Sequence, residues 1–208
     1  MAQYGFYVDT SKCTGCKTCQ VSCKDDNDLP IGVNWRRVYE YGGGDWVKHE
    51  DGTYTNDVFT YYMSISCNHC ATPACTKACP TGAMHKREQD GLVVVNGDVC
   101  VGCRYCEMAC PYGAPQYNHE KKHMTKCDGC FDRVEQGKKP ICIESCPLRA
   151  LDFGPIDELR AKYGDRADVA PLPNPSLTNP SLIIGTCRNS RLTGDETGKI
   201  QNPTEVGL

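Results

Sequence analysis

The stretch 100–111, reading C-V-G-C-R-Y-C-E-M-A-C-P, constrains this chain more than any other. Its four cysteines, separated by two, two and three residues and followed by proline, match the bacterial run that holds iron–sulfur clusters through thiolates. The first three fall within seven residues, close enough for one tight loop to grip a single cubane. The fourth lies a helical turn further on, and in two-cluster ferredoxins that position ligates the other cluster. Such a motif needs a partner motif, and the chain supplies three more.

The first clump is Cys13, Cys16, Cys19 and Cys23, with the same spacing but Lys24 where the proline would stand. Gly15 inside it lets backbone N–H groups approach the cluster sulfurs. The second is Cys67, Cys70, Cys75 and Cys79-Pro80, with two extra residues in its middle gap. His69 sits among these ligands, but four cysteines already fill the site. Residues 100–111 are the third clump. The fourth is Cys127, Cys130, Cys142 and Cys146-Pro147, whose long gap is read as a polar loop over 131–140 with three basic residues.

Exchanging each fourth ligand between paired motifs, on ferredoxin precedent, gives four sets. They are Cys13, Cys16, Cys19 with Cys146; Cys67, Cys70, Cys75 with Cys110; Cys100, Cys103, Cys106 with Cys79; and Cys127, Cys130, Cys142 with Cys23. The repeat is nested: the second and third clumps form an inner ferredoxin, and the first and fourth an outer one interrupted by it. Alternating apolar runs predict strands at 4–8, 58–65 and 150–153, and hairpins over 81–95 and 116–126. Strand 150–153 is expected to pair with 4–8. The fold class is therefore α+β: two nested ferredoxin-like modules with short hairpins and helices.

Expected boundaries are 1–28 with 119–154 for the outer module, 29–55 for an insertion with a hairpin, and 56–118 for the inner module. Residues 155–208 read as a short helix, 155–163, and an extended, proline-rich, partner-binding tail. In the insertion, the pair Arg36-Arg37 is read as a solvated face, and Gly42-Gly43-Gly44-Asp45 as a turn.

Composition agrees with inorganic centres. Hydrophobic residues make up 39% of the chain, but 17 of them are cysteine, so the remainder is thin for an ordinary core. Metal binding offsets such a deficit, because its free energy becomes folding free energy. A disulfide framework would scatter its cysteines, and zinc would want pairs from two knuckles rather than three successive cysteines. A formal charge of −3 argues against nucleic acid. No apolar stretch reaches 18 residues, and the first residues lack a basic region and an apolar signal core.

No phosphate loop and no G-x-S-x-G is present, so no catalytic residue is assigned; the chain carries electrons and the chemistry happens in a partner. Arg104, Lys12, Lys17, Lys77 and Lys126 lie next to ligands, where they raise cluster potentials or merely offset cluster charge. His85 is assigned to packing, with coupling of a cluster to a donor as the alternative. Cys187 is a bystander thiol.

The runs C-T-G-C-K-T-C, S-C-N-H-C-A-T-P-A-C-T-K-A-C-P, C-V-G-C-R-Y-C-E-M-A-C-P-Y-G-A-P-Q-Y and K-C-D-G-C followed by C-P-L-R-A-L-D-F-G-P resemble the four-cluster iron–sulfur subunits of molybdopterin oxidoreductases. Within that family they most resemble the electron-transfer B subunits of anaerobic dimethyl sulfoxide reductase, over essentially the whole chain. Related nitrate reductase subunits hold a 3Fe–4S cluster where tryptophan replaces a third-motif cysteine; Cys103 fills that position here, so four 4Fe–4S clusters are expected. The resemblance implies a heterotrimer with a molybdopterin-containing catalytic subunit and an integral membrane anchor that oxidises menaquinol. It also implies a peripheral place on the inner membrane, at the periplasmic face, by co-export with a catalytic subunit that carries a twin-arginine signal. Alternatives are the same role in a polysulfide, tetrathionate or selenate reductase or a formate dehydrogenase, and a zinc-stabilised interaction module.

Overall fold

In the computed structural model, which describes residues 2–207, β1 (Tyr4–Asp9) runs into the first cysteine loop and helix α1 (Thr18–Asp26). Strands β2 (Arg37–Gly43), β3 (Trp46–Lys48), β4 (Tyr54–Asn56) and β5 (Phe59–Ile65) follow. The second clump carries α2 (Ala74–Lys77), and β6 (Met84–Lys86) and β7 (Val93–Val95) lead to α3 (Tyr105–Ala109) in the third. Next come β8 (Gln116–Asn118), β9 (His123–Thr125), α4 (Phe131–Glu135), α5 (Ile141–Glu144), β10 (Leu151–Pro155) and α6 (Ile156–Tyr163). Strands β11 (Leu182–Gly185) and β12 (Gly198–Ile200) and helix α7 (Pro203–Val206) complete the chain.

The expected pairing of the first strand forms. β1 is antiparallel to β10, with Phe6 opposite Phe153 and Val8 opposite Leu151. The Phe6 and Phe153 rings lie 4.8 Å apart, and Phe6 and Val8 are buried, so the two strands are stitched by apolar side chains as well as by the ladder. Both expected hairpins form, β6 with β7 and β8 with β9. The described elements are an α+β mixture of short helices and small sheets around buried cysteines.

Three expectations are corrected. First, Arg36 and Arg37 are not a solvated face: they are 1% and 4% exposed. β2 pairs with β5 over its full length, from Arg37 opposite Ile65 to Gly43 opposite Phe59, so the pair sits at the root of a long hairpin, against the cysteine loops. The exposed part of the insertion is the β3–β4 arm, where Trp46 and Tyr54 face solvent. Second, the tail does not extend away. β11 lies parallel to β1, with Leu182, Ile183 and Ile184 buried, and β12 pairs with β2. A short apolar run completes an open sheet edge, which is where such a run loses most water. Third, the polar loop of the fourth clump contains α4, whose Phe131 ring is covered by the Arg87 guanidinium at 4.1 Å.

Candidate metal centre

The sixteen motif cysteines come together in four groups. Cys13, Cys16, Cys19 and Cys146 line one cavity (group 1). Cys67, Cys70, Cys75 and Cys110 line another (group 2). Cys79, Cys100, Cys103 and Cys106 line a third (group 3). Cys23 lies near enough to Cys127, Cys130 and Cys142 for them to push its thiol up, after burial itself (group 4). Cys187 lines none of these cavities; it turns to Ser190 and Thr10.

The helices explain the exchange. Cys19 and Cys23 stand one turn apart on α1, yet belong to groups 1 and 4. Four residues advance about 6 Å along a helix, so the later cysteine reaches a second site while the earlier one closes the first. The same step separates Cys75 from Cys79 across α2, Cys106 from Cys110 across α3, and Cys142 from Cys146 across α5. α1 packs on α5, and α2 on α3.

The loops share one backbone device. The residue before the second cysteine has positive φ in all four clumps: Gly15 at 72°, His69 at 41°, Gly102 at 68° and Gly129 at 78°. Glycine takes this conformation without penalty, whereas a non-glycine residue there is strained. His69 accepts that strain fully buried, with Nδ1 accepting from the Val93 N–H at 2.9 Å. That bond leaves the proton on Nε2, which is 3.8 Å from Cys127 Sγ in group 4.

The donor set fits cubane clusters rather than single ions. Among the described residues no three His, Cys, Asp or Glu side chains converge on one metal position. A tetrahedral zinc with Zn–S near 2.3 Å would bring its sulfurs to roughly 3.8 Å of one another. Hydrogen-bond donors are aimed at these thiols: the Met84 N–H at Cys79 (3.3 Å), the Ala150 N–H at Cys146 (3.4 Å) and the Ser64 hydroxyl at Cys19 (3.2 Å). Burial pushes the Cys13 and Cys106 thiols up to about 11 and those of Cys70 and Cys75 to about 12. Iron takes thiolate, so loading displaces these protons and couples metal binding to folding.

The groups follow one another in the order 3, 2, 4, 1. Cys75 and Cys106, from groups 2 and 3, share a small core with Met84, Val93 and Met124. Cys67 of group 2 lies close enough to Cys127 of group 4 to raise its thiol, and Cys142 of group 4 neighbours Cys19 of group 1. The middle of this row is buried, with Cys67, Cys70, Cys75, Cys127 and Cys142 largely covered, while Cys103 at one end and Cys16 at the other are exposed. Exposed Val101, Tyr105 and Met108 surround the first tip, and Val21 and Leu148 the second.

The structure also sorts the basic residues beside the ligands. Lys12 pairs with Asp9, Lys17 with Glu205 and Arg104 with Glu107, all at the surface, and Lys77 is exposed. Lys126 alone of these five is buried, with Nζ donating to the carbonyls of Val93 and Cys127. Two cations that sequence reasoning places in solvent join it. Arg37 donates to the carbonyls of Val206 and Tyr112, and Arg36 to Ser64 and Ser66. Among the described residues none of these three meets a carboxylate within ion-pair distance. His85, assigned to packing, is instead exposed, with Nδ1 beside the Ala83 carbonyl.

Residues 58–156 match the 4Fe-4S dicluster domain family, and residues 10–32 the 4Fe-4S binding domain family. The B chain of the anaerobic dimethyl sulfoxide reductase of Escherichia coli is 67% identical over 204 residues, covering 98% of each chain. Its counterpart from Haemophilus influenzae is 61% identical over 206 residues, 99% of this chain and 100% of its own. The B subunit of the tetrathionate reductase of Salmonella typhimurium is 39% identical over 156 residues, 75% of this chain and 59% of its own. With seventeen cysteines, these matches mean that the chain carries four 4Fe–4S clusters.

Proposed function

This chain belongs to the family of iron–sulfur B chains of anaerobic dimethyl sulfoxide reductase, and from that premise we propose that it relays electrons from a menaquinol-oxidising membrane subunit to a molybdopterin catalytic subunit that reduces dimethyl sulfoxide and related S- and N-oxides. As an electron-transfer subunit it performs no catalysis itself. The observation that carries the reading is the row of cysteine groups, buried in the middle and exposed at Cys103 and Cys16. Such a row has two surfaces at which an electron can enter or leave, and each is framed by exposed apolar side chains that a partner would cover.

In this reading the sixteen thiolates hold iron as groups 1 to 4, within an outer module (1–28 with 119–154) and an inner module (56–118). Each bound cluster supplies a one-electron acceptor and donor. The chain's residues do the rest. They fix the spacing through one-turn steps on the helices, exclude water from groups 2 and 4, and direct N–H and O–H donors at the sulfurs. No helix among the described residues is long and apolar enough to cross a membrane. Attachment to the periplasmic face of the inner membrane is assigned to the partners. The identity gap between the dimethyl sulfoxide reductase chains and the tetrathionate reductase subunit favours the former substrate class.

The test is anaerobic purification with the natural partners, assay of iron and acid-labile sulfide, and EPR through a reductive titration. About sixteen irons per chain and a co-purifying molybdopterin subunit active on dimethyl sulfoxide are expected. Eight irons, or a large subunit active on tetrathionate alone, would overturn the assignment.

A further inference from the structure

We propose that Arg36 is a positioning residue shared by two clusters: one fixed cation, set between groups 1 and 4, that stabilises the reduced state of both. This inference rests on the ligand grouping proposed above and adds a role for a residue outside every cysteine motif.

Arg36 is 1% exposed, and among the described residues no carboxylate pairs with it. Guanidinium does not lose its proton in proteins, so a full positive charge is buried here. A buried charge without a counter-ion is costly enough that native structures pair it. The side-chain contacts supply no anion. Nη1 donates to the Ser64 hydroxyl at 3.1 Å and carbonyl at 3.2 Å, Nη2 donates to the Ser66 hydroxyl at 2.9 Å, and the Phe6 ring lies 4.8 Å from the guanidinium carbon. Nε is buried and has no partner. The remaining neighbours are Cys19 of group 1 and Cys23, Cys127 and Cys142 of group 4. A cubane with four thiolates carries roughly −2 when oxidised and −3 after accepting one electron. The anions that balance Arg36 are therefore the two clusters.

The contact with group 1 is relayed. Because Arg36 donates to Ser64 Oγ, the serine's own proton is free to point at Cys19 Sγ, 3.2 Å away. Arg36 thus holds a hydroxyl donor on a group 1 ligand while its charge faces group 4. A cation nearby favours −3 over −2, so it raises each midpoint potential, and one cation placed between two clusters raises both together. A common shift leaves the difference between the two potentials, and so the driving force of the electron step between them, unchanged.

The experiment compares the wild-type complex, as it purifies with its partners, with Arg36→Gln, Arg36→Lys and Ser64→Ala. Iron and sulfide content is measured first, so that failure of the four-cluster reading registers separately as a wild-type count well below about sixteen irons. Potentiometric EPR then follows the four one-electron waves. In Arg36→Gln two waves are expected to fall by at least a tenfold change in reduction equilibrium, 59 mV for one electron, while the other two stay in place. Arg36→Lys, which keeps the charge, is expected to hold both near their wild-type positions, and Ser64→Ala to lower one of the same two alone. With iron content intact, four unmoved waves in Arg36→Gln, or four waves moved alike, overturn the proposal. If Arg36→Gln does not assemble, Ser64→Ala decides: one lowered wave supports it, and four unmoved waves overturn it.

Discussion

His69 Nε2 lies 3.8 Å from Cys127 Sγ, joining a loop of the inner cysteine groups to a ligand of the outer ones. The imidazole reaches it from a backbone position that glycine occupies in the other three loops. The strain of a non-glycine residue there, on the order of 1–3 kcal/mol, is matched by a donor whose direction the Val93 N–H fixes. His69→Gly is the informative variant, since it relaxes the loop and removes only the side chain. We expect full iron content with one wave, that of group 4, lowered by about one decade in reduction equilibrium, the scale of one hydrogen bond to a charged group at about 1.5 kcal/mol. Redox titration with EPR detection checks this, and unchanged potentials would contradict it.

The exchange of fourth ligands makes a pairwise prediction. Cys23 stands in the first motif but lies with Cys127, Cys130 and Cys142. Cys23→Ser and Cys127→Ser should therefore damage the same cluster, and the double variant should lose no more iron than the worse single one. Cys23→Ser with Cys13→Ser should lose iron from two clusters, additively, although both residues belong to one motif. Iron analysis of the single and double variants distinguishes exchanged from motif-local ligation, because coupled sites are non-additive and separate ones add.

The cysteine groups are legible because thiolate ligation imposes short local spacings, and the pairing of β1 with β10 because both runs alternate strongly. Arg36 and Arg37 are misread for a physical reason. Adjacent arginines usually mean solvent unless acidic partners are written nearby, but Arg37 is taken up by the carbonyls of Val206 and Tyr112, and Arg36 by Ser64, Ser66 and the cysteine groups, partners that no local pattern marks. The β11 run Leu182-Ile183-Ile184 is apolar, but its parallel pairing with β1 joins residues some 176 positions apart (Phe6 to Leu182), a separation that no local pattern encodes. His69 carries one available signal: it stands where Gly15, Gly102 and Gly129 stand, and a histidine that replaces glycine at a positive-φ position has a task for its side chain.

Beyond the β12–β2 ladder, an amide fastens the tail to the β2 edge. Asn202 accepts from the Glu40 N–H at 3.0 Å and donates to the Val38 carbonyl at 2.9 Å, two backbone groups that the last strand leaves free. Asn202→Ala should lower stability by about 1–3 kcal/mol, the cost of leaving partly buried backbone groups unpaired. It should also raise the rate of proteolysis after residue 194 while leaving iron content unchanged. Limited proteolysis under anaerobic conditions reads both effects, and loss of iron would mean that the tail supports the clusters directly.

Exposure of the ligands sets an order for oxidative damage. Cys16 and Cys103, in groups 1 and 3, are open to solvent, whereas groups 2 and 4 each have three buried cysteines. Oxygen reaches an iron–sulfur centre through the same openings that expose its ligands, and sulfur oxidation follows accessibility. In the isolated chain, stripped of partners under anaerobic conditions and then exposed to air, the end clusters should decay first and the middle pair several times more slowly. In the intact complex the covered tips should lose this disadvantage, so that decay of the end clusters slows toward that of the middle ones. Time-resolved EPR of both preparations measures the two orders. Equal decay of all four clusters in the isolated chain would mean that access to the row is not through its tips, and would remove the reason for placing the partners there.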